Sequence, residues 1–341
     1  MLIDRVKDWK QRTFPKGIRR ELDKLQKRIF HRTTEAKLTR AIAQLGMPDG
    51  AVICVHSMLS GLGYLVGGPE MVIRAIQGAV PGCTIMMPTF PFSGSAWDYL
   101  QTDPVYDRDK TPSKSGLLTE TLRNMPGALR SFHPTHPCVA LGPKAQYLID
   151  GSENSITPFG DDSTYGRFSS LDNAFLLLIH TNNTSIVHRI QEMVDMPNLF
   201  LDGLHPAKGI GPDGEIKEYQ VKVHRPYFPL WVVMGSEIED DFEYVWYPDY
   251  CLLFPQFNRE RVSSVIKKTS FLNFLEKKNY GFLNNGIEKV FKYKDSEIMS
   301  INLKPWITSE NSEIIQSIKD FPQKYELECL EISKEKGLLS K

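Results

Sequence analysis

The chain reads as an α/β protein, a layered α/β/α arrangement around a central mixed sheet. Three observations predict this. Apolar runs of strand length, at residues 51–55 (AVICV), 84–87 (TIMM) and 175–179 (FLLLI), alternate with helical patterns. Each run ends in a polar or glycine-rich loop, as strands of an open sheet do where helices cross back over them. The length, 341 residues, is enough to bury a full core.

Composition excludes several classes. The chain carries 41 Lys and Arg against 41 Asp and Glu, so its formal net charge is zero and no global field draws in nucleic acid. No apolar run is long enough to span a bilayer, and the opening residues lack a signal-peptide core. A cytoplasmic location is therefore expected. Cys54, Cys83, Cys138, Cys251 and Cys329 are odd in number, scattered and without a C-x-x-C pair. That pattern fits reduced thiols and neither a disulfide framework nor a zinc site.

Residues 1–36 read as one or two basic amphipathic helices, with Val6, Trp9, Leu22, Leu25, Ile29 and Phe30 beneath the Lys and Arg. This extension would dock on its own domain, on a twin subunit (which leaves a homodimer open) or on a membrane surface. Residues 37–341 read as a single domain. A helix at 34–45 ends at Gly46, and the strand at 51–55 leads to His56 and Ser57. The loop MLSGLGYLVGG follows, then a helix at 69–80 with Pro69 at its first position, then the strand at 84–87. The loop has neither a Gly-Lys-Ser/Thr ending nor the Rossmann spacing. Its glycines either let backbone amides approach an anionic ligand or simply form turns.

Residues 91–115 read as one long irregular loop, a length usually tied to function. Its Asp98, Asp103, Asp107 and Asp109 either line a site for a cationic substrate or are solvated. Helices are expected at 116–124 and 143–149, with a loop at 150–170. His133 and His136, each beside a proline, fit the spacing of metal-ligand pairs poorly.

The stretch TNNTSIVHRIQE at residues 181–192 carries the chemistry. It follows the strand at 175–179 and opens a helix, at 186–196, that Pro197 would end. His188 thus stands in the first turn of a helix at the carboxyl end of a strand, where open α/β sheets place ligand sites. The free amides and dipole of that turn favour neutral imidazole, ready to accept a proton. Glu192, four residues on, shares its face and would orient or tune the ring. The plainer alternative is a surface histidine in a chance ion pair. Beyond residue 197 the pattern is β-rich, at 217–224, in PYFPLWVVMG and in EYVWYPDYCLLF. Helices at 259–267 and 271–278, a strand pair at 289–293 and 297–303 and a helix at 309–319 complete it.

Four blocks, VHSMLSGLGYLVGGPEMVIRAI, GCTIMMPTF, TPSKSGLLTETLRNMPGALRSFHPTHPCVALGP and NNTSIVH, resemble the aminoglycoside 3-N-acetyltransferase family in order and spacing. The likeness fades after residue 200. It implies that family's α/β fold and acyl transfer from acetyl-CoA or another acyl-CoA to a sugar amine, with no metal. It places the general base on His188; Glu192 is the expected catalytic companion by its helical spacing. It also implies CoA contacts at His56, Ser57, Leu59, Ser113 and Gly116. Asp98, from the long loop, and Gln191, beside His188, are the expected substrate contacts. This chain departs from the family at Gln191, where a carboxylate is usual, and at Pro137 and Cys138. Aminoglycosides are polycations that favour acidic clefts. A neutral chain with Gln191 at that position therefore suggests a nucleotide-linked amino sugar of surface-polysaccharide synthesis as acceptor, with aminoglycoside acetylation conferring resistance as the alternative. A metal-dependent hydrolase using His133, His136, His188 and Glu192, or an inactive binding protein, are the readings from other classes.

Overall fold

The computed structural model describes residues 31–181, 184–195, 199–210, 214–224, 288–293 and 296–308. It also gives the backbone of 227–230 and 245–248 and isolated positions before residue 31. Its centre is a seven-stranded mixed sheet. Three parallel neighbours form the middle: β8 (Ala174–Ile179), β2 (Val52–Ser57) and β4 (Thr84–Pro88). On one side β14 (Ser296–Asn302) and β13 (Glu288–Tyr293) add antiparallel strands. On the other side β7 (Cys138–Leu141) and β6 (Leu129–Arg130) do the same. Strands buried on both faces are uniformly apolar, and FLLLI and AVICV meet that requirement.

Alternation along the strands assigns the two faces. Ile53, Val55, Ile85, Met87, Val139, Leu177 and Ile179 point to one face and form a single core with the helices α1 (Glu35–Ala43), α2 (Glu70–Ala79) and α4 (Leu117–Arg123). In α1 the buried residues are Leu38, Ala41 and Ile42, at the three- and four-residue spacing of one helical face. Cys54 and Cys138 point to the opposite face. There α6 (Thr164–Ser169) brings Tyr165 against them; burial raises the pKa of all three, Cys138 adds to the rise of Cys54, and both thiols add to that of Tyr165, while the Tyr165 bond opposes the rise of Cys138. Cys54, Cys83 and Cys138 are buried free thiols.

The middle strands match the expected elements to within two residues. The differences lie where short elements depend on distant partners. The loop expected at 91–115 contains α3 (Ala96–Leu100) and β5 (Val105–Asp107). The Ser95 hydroxyl accepts from the Asp98 amide and starts α3, a capping pattern that a five-residue helix barely announces. Strand β5 forms because β9 (His205–Ile210) pairs with it in parallel, in a small sheet completed by β10 (Ile216–Val221). Likewise α6, capped by Ser163, lies within the loop expected at 150–170. Just before that loop, α5 (Ala145–Ile149) falls within the helix expected at 143–149.

The end of the expected basic extension is also different. Arg32–Thr33 is a strand, β1, paired in parallel with β3 (Tyr64–Leu65). The rest of that extension falls almost wholly outside the described residues, as do the helices expected at 259–267, 271–278 and 309–319. Strands β11 (Tyr227–Leu230) and β12 (Val245–Pro248) form an antiparallel pair in the aromatic β-rich stretch. No described helix is long and apolar enough to cross a membrane.

Candidate active site

Strand order reverses beside β2. The chain runs from β2 to β4 on one side and later returns to β8 on the other, and ligands of open sheets bind at the carboxyl ends beside such a point. There β2 delivers His56 and Ser57, and β8 leads through His180 to α7 (Ile186–Met193). His180 has a positive φ of 52°, and any side chain at Gly61 would overlap its ring, so the two loops interlock only with glycine there. His56 crosses the gap. Its Nε2 accepts from the Ser185 amide at 3.0 Å and lies 3.2 Å from the Ser185 hydroxyl, tying β2 to the start of α7. Enclosure lowers the pKa of His56 to about 4.

His188 occupies the first turn of α7. Its Nδ1 lies 2.8 Å from the Gln191 side-chain carbonyl, which can only accept, so Nδ1 carries the proton and Nε2 the basic lone pair. Burial chiefly, and the neighbouring His224 ring, lower its pKa to about 4, while the Gln191 bond opposes the shift. The ring is therefore neutral at pH 7. Phe159, at 5.2 Å between ring centroids, packs against it.

Glu192 takes a different partner from the one its spacing suggests. Its Oε1 accepts from the Phe159 amide at 3.0 Å and from His224 Nε2 at 2.7 Å. The expected contact to His188 is made by Gln191. Both residues lie on the His188 face of the helix. The Phe159 amide and a histidine 32 residues further along the chain claim the carboxylate.

His224 follows β10, and its position is fixed by the backbone. Lys222 N–H donates to Ile156 O, Leu201 N–H donates to Val223 O, and residue 224 bridges Phe200. Its ring lies 5.4 Å from both Phe159 and His188, and 4.9 Å from Phe200. Sequence reasoning missed His224, Phe159 and Phe200. The only signal for His224 was its place at the end of a β-rich run.

His133 and His136 enter the same region in another capacity. His133 Nδ1 accepts the amides of Thr135 and His136 at 3.3 and 3.1 Å, so the ring closes its own H-P-T-H turn. His136 packs edge-on against Phe90 and Phe159, at 4.7 and 5.1 Å. Burial and the rings of His133, His224 and His188 hold its pKa well below the usual value. Among the described residues no three His, Cys, Asp or Glu side chains are grouped to hold a metal.

Of the remaining site residues, Leu59 begins the turn of 3-10 helix that follows β2. Ser113 is buried, its amide on Glu120 and its hydroxyl on Thr119, and Gly116 starts α4 with a φ of 122° that favours glycine. Phe90 joins this loop to the end of β4, donating to the Ser115 hydroxyl and accepting from Lys114 N–H. The two loops that carry the CoA expectation thus meet the same sheet edge. Asp98 is exposed and accepts from the Ser95 hydroxyl at 2.8 Å.

An oriented neutral imidazole at the carboxyl end of the sheet, flanked by glycine-rich and serine-rich loops, suits a group-transfer enzyme. Comparison with known proteins makes the class specific. The family model for aminoglycoside 3-N-acetyltransferases matches residues 54–244, and the chain belongs to that family of CoA-dependent N-acyltransferases. Aminoglycoside N(3)-acetyltransferase VII of Streptomyces paromomycinus is 31% identical over 207 residues, covering 56% of this chain and 70% of the relative. Aminoglycoside N(3)-acetyltransferase VIII of Streptomyces fradiae is 31% identical over 179 residues, covering 48% and 62%. The second alignment thus spans less than two thirds of the relative's length. Among solved structures, aminoglycoside acetyltransferase AAC(3)-Xa aligns with a TM-score of 0.64 at 20% identity, over 88% of this chain and 98% of its own. AAC-IIIb, solved as a binary complex with CoASH, aligns with a TM-score of 0.59 at 18% identity, over 86% and 97%. These likenesses establish the α/β/α fold.

Proposed function

We propose that this protein transfers an acetyl group from acetyl-CoA to an amine of an aminoglycoside-type amino sugar, with His188 as the general base. The observation that carries the reading is the His188 ring itself. It is neutral, its tautomer is fixed by Gln191, and it stands at the carboxyl edge of the sheet. Its Nε2 takes a proton as the amine nitrogen attacks the thioester carbon, and the carbon–sulfur bond breaks as CoA thiolate leaves. A positioned base of this kind contributes about a hundred- to ten-thousand-fold in rate. In this reading His56, Ser57, Leu59, Ser113 and Gly116 hold CoA, while Gln191 and Asp98 face the acceptor.

The relatives support an aminoglycoside acceptor, since each is named for that substrate class, over the nucleotide-linked amino sugar that charge alone suggests. One observation keeps the second reading in view. The Glu192 carboxylate is buried against His224, and the residue that holds the Nδ1 proton of His188, Gln191, is uncharged, which is a less acidic surface than a polycation favours. A thiol-release assay with acetyl-CoA decides between them. Turnover of kanamycin- or gentamicin-type amines is expected. Turnover confined to nucleotide-linked amino sugars would replace the first reading with the second, and silence on both panels with every acyl-CoA would overturn acyl transfer.

A further inference from the structure

Acetylating an amino sugar requires its nitrogen to lose two protons. At neutral pH the amine is an ammonium, which loses one proton to become a nucleophile and a second as the amide forms. One of the two ends on the departing CoA sulfur and the other goes to solvent. A single imidazole held by a neutral amide has to handle both in turn.

The structure holds a second oriented imidazole beside the first. His224 donates through Nε2 to Glu192 at 2.7 Å, so Nδ1 carries its lone pair. That Nδ1 is buried and finds no hydrogen-bond partner in the structure. The side chain is 9% exposed and its carboxylate partner 6%. An imidazole backed by a carboxylate becomes an imidazolium at low cost, because the pair is then neutral overall. His188, on Gln191, has no such support from that residue. The ring centroids stand 5.4 Å apart, edge to face. Among the described residues, the other charged or titratable groups around this pair are His136, which both rings influence, Tyr165 and Arg189, which contact Phe159, and Lys222, whose ammonium lies 5.1 Å from the Phe200 ring.

We propose that His224, backed by Glu192, is the second base of the site: its Nδ1 takes the first proton from the substrate ammonium, holds it through the acyl transfer and releases it once the products have left. His188 then takes the second proton as the amine attacks and returns it to the CoA sulfur. The proposal rests on the acyl-transfer reading above.

The test is the pH dependence of kcat/KM for wild type, His224→Gln and Glu192→Gln with an accepted amine. Thermal melting and CoA binding establish that the variants are folded. Wild type should fall gently below the pKa of the amine. Each variant should instead follow the free-amine fraction, falling about tenfold per pH unit, and should recover toward wild type once the amine is unprotonated. Glu192→Gln keeps an acceptor for the Phe159 amide and guards against a fold defect in the other variant. A deficit that is the same at every pH marks a merely structural clamp and overturns the proposal while leaving the acyl-transfer reading intact. A wild type inactive on every amine overturns that reading, and the proposal with it.

Discussion

Gln191 sets the tautomer of His188 with a neutral oxygen, and the consequence is a base that stays uncharged. A carboxylate at the same place would hold the same proton on Nδ1 while favouring the imidazolium, which raises the pKa. Gln191→Glu is therefore expected to move the acid limb of the kcat/KM profile upward from about 4 by about one unit or more. An unmoved limb would show that the ring's acidity is set elsewhere. The position of His188 was legible in the sequence because three local signals coincide there: an apolar strand, a polar break and a helix start. The partner of Glu192 was not. Helical spacing tells which residues share a face, yet His224 comes from a segment whose place depends on Phe200 and Ile156.

Elements in the middle of the sheet follow directly from their residues, because a buried strand must be apolar on both faces and a crossover helix amphipathic. Short elements that depend on partners far along the chain left weaker traces. β5 is three residues long and exists through β9, about a hundred positions away. The two loops that frame the site interlock through backbone room: Gly61 leaves the space that the His180 ring fills. Gly61→Ala is expected to cost about 1–3 kcal/mol in urea unfolding, as overpacking of a tight contact does. A variant as stable as wild type would mean that His180 swings clear without consequence for the loop.

At the scale of the molecule, buried histidines make stability depend on acid. His56, His133 and His188 each have a folded pKa of about 4 against the usual 6.5, because burial penalises their charged forms. The unfolded chain then binds more protons than the native one between those values. The stability these neutral rings preserve is complete above about pH 6.5 and drains away as pH falls toward 4. Melting temperature should drop by at least about 5 °C across that window. A flat profile would mean that the rings protonate without unfolding the site. Fold class and the placing of His188 at a strand's carboxyl end were both carried by residues 37–192. The part beyond residue 197 was least legible, because Phe200 and His224 reach His188 through long-range backbone pairing that local pattern does not announce.

The central claim is that His188 does the proton chemistry of acyl transfer without being needed to hold the cofactor. His188→Ala tests it by measuring CoA binding by calorimetry beside acetyl-CoA turnover on whichever amine the wild type accepts. The account predicts CoA affinity within about threefold of wild type, with turnover lower by about a hundred- to ten-thousand-fold. Turnover near the wild-type rate would contradict it.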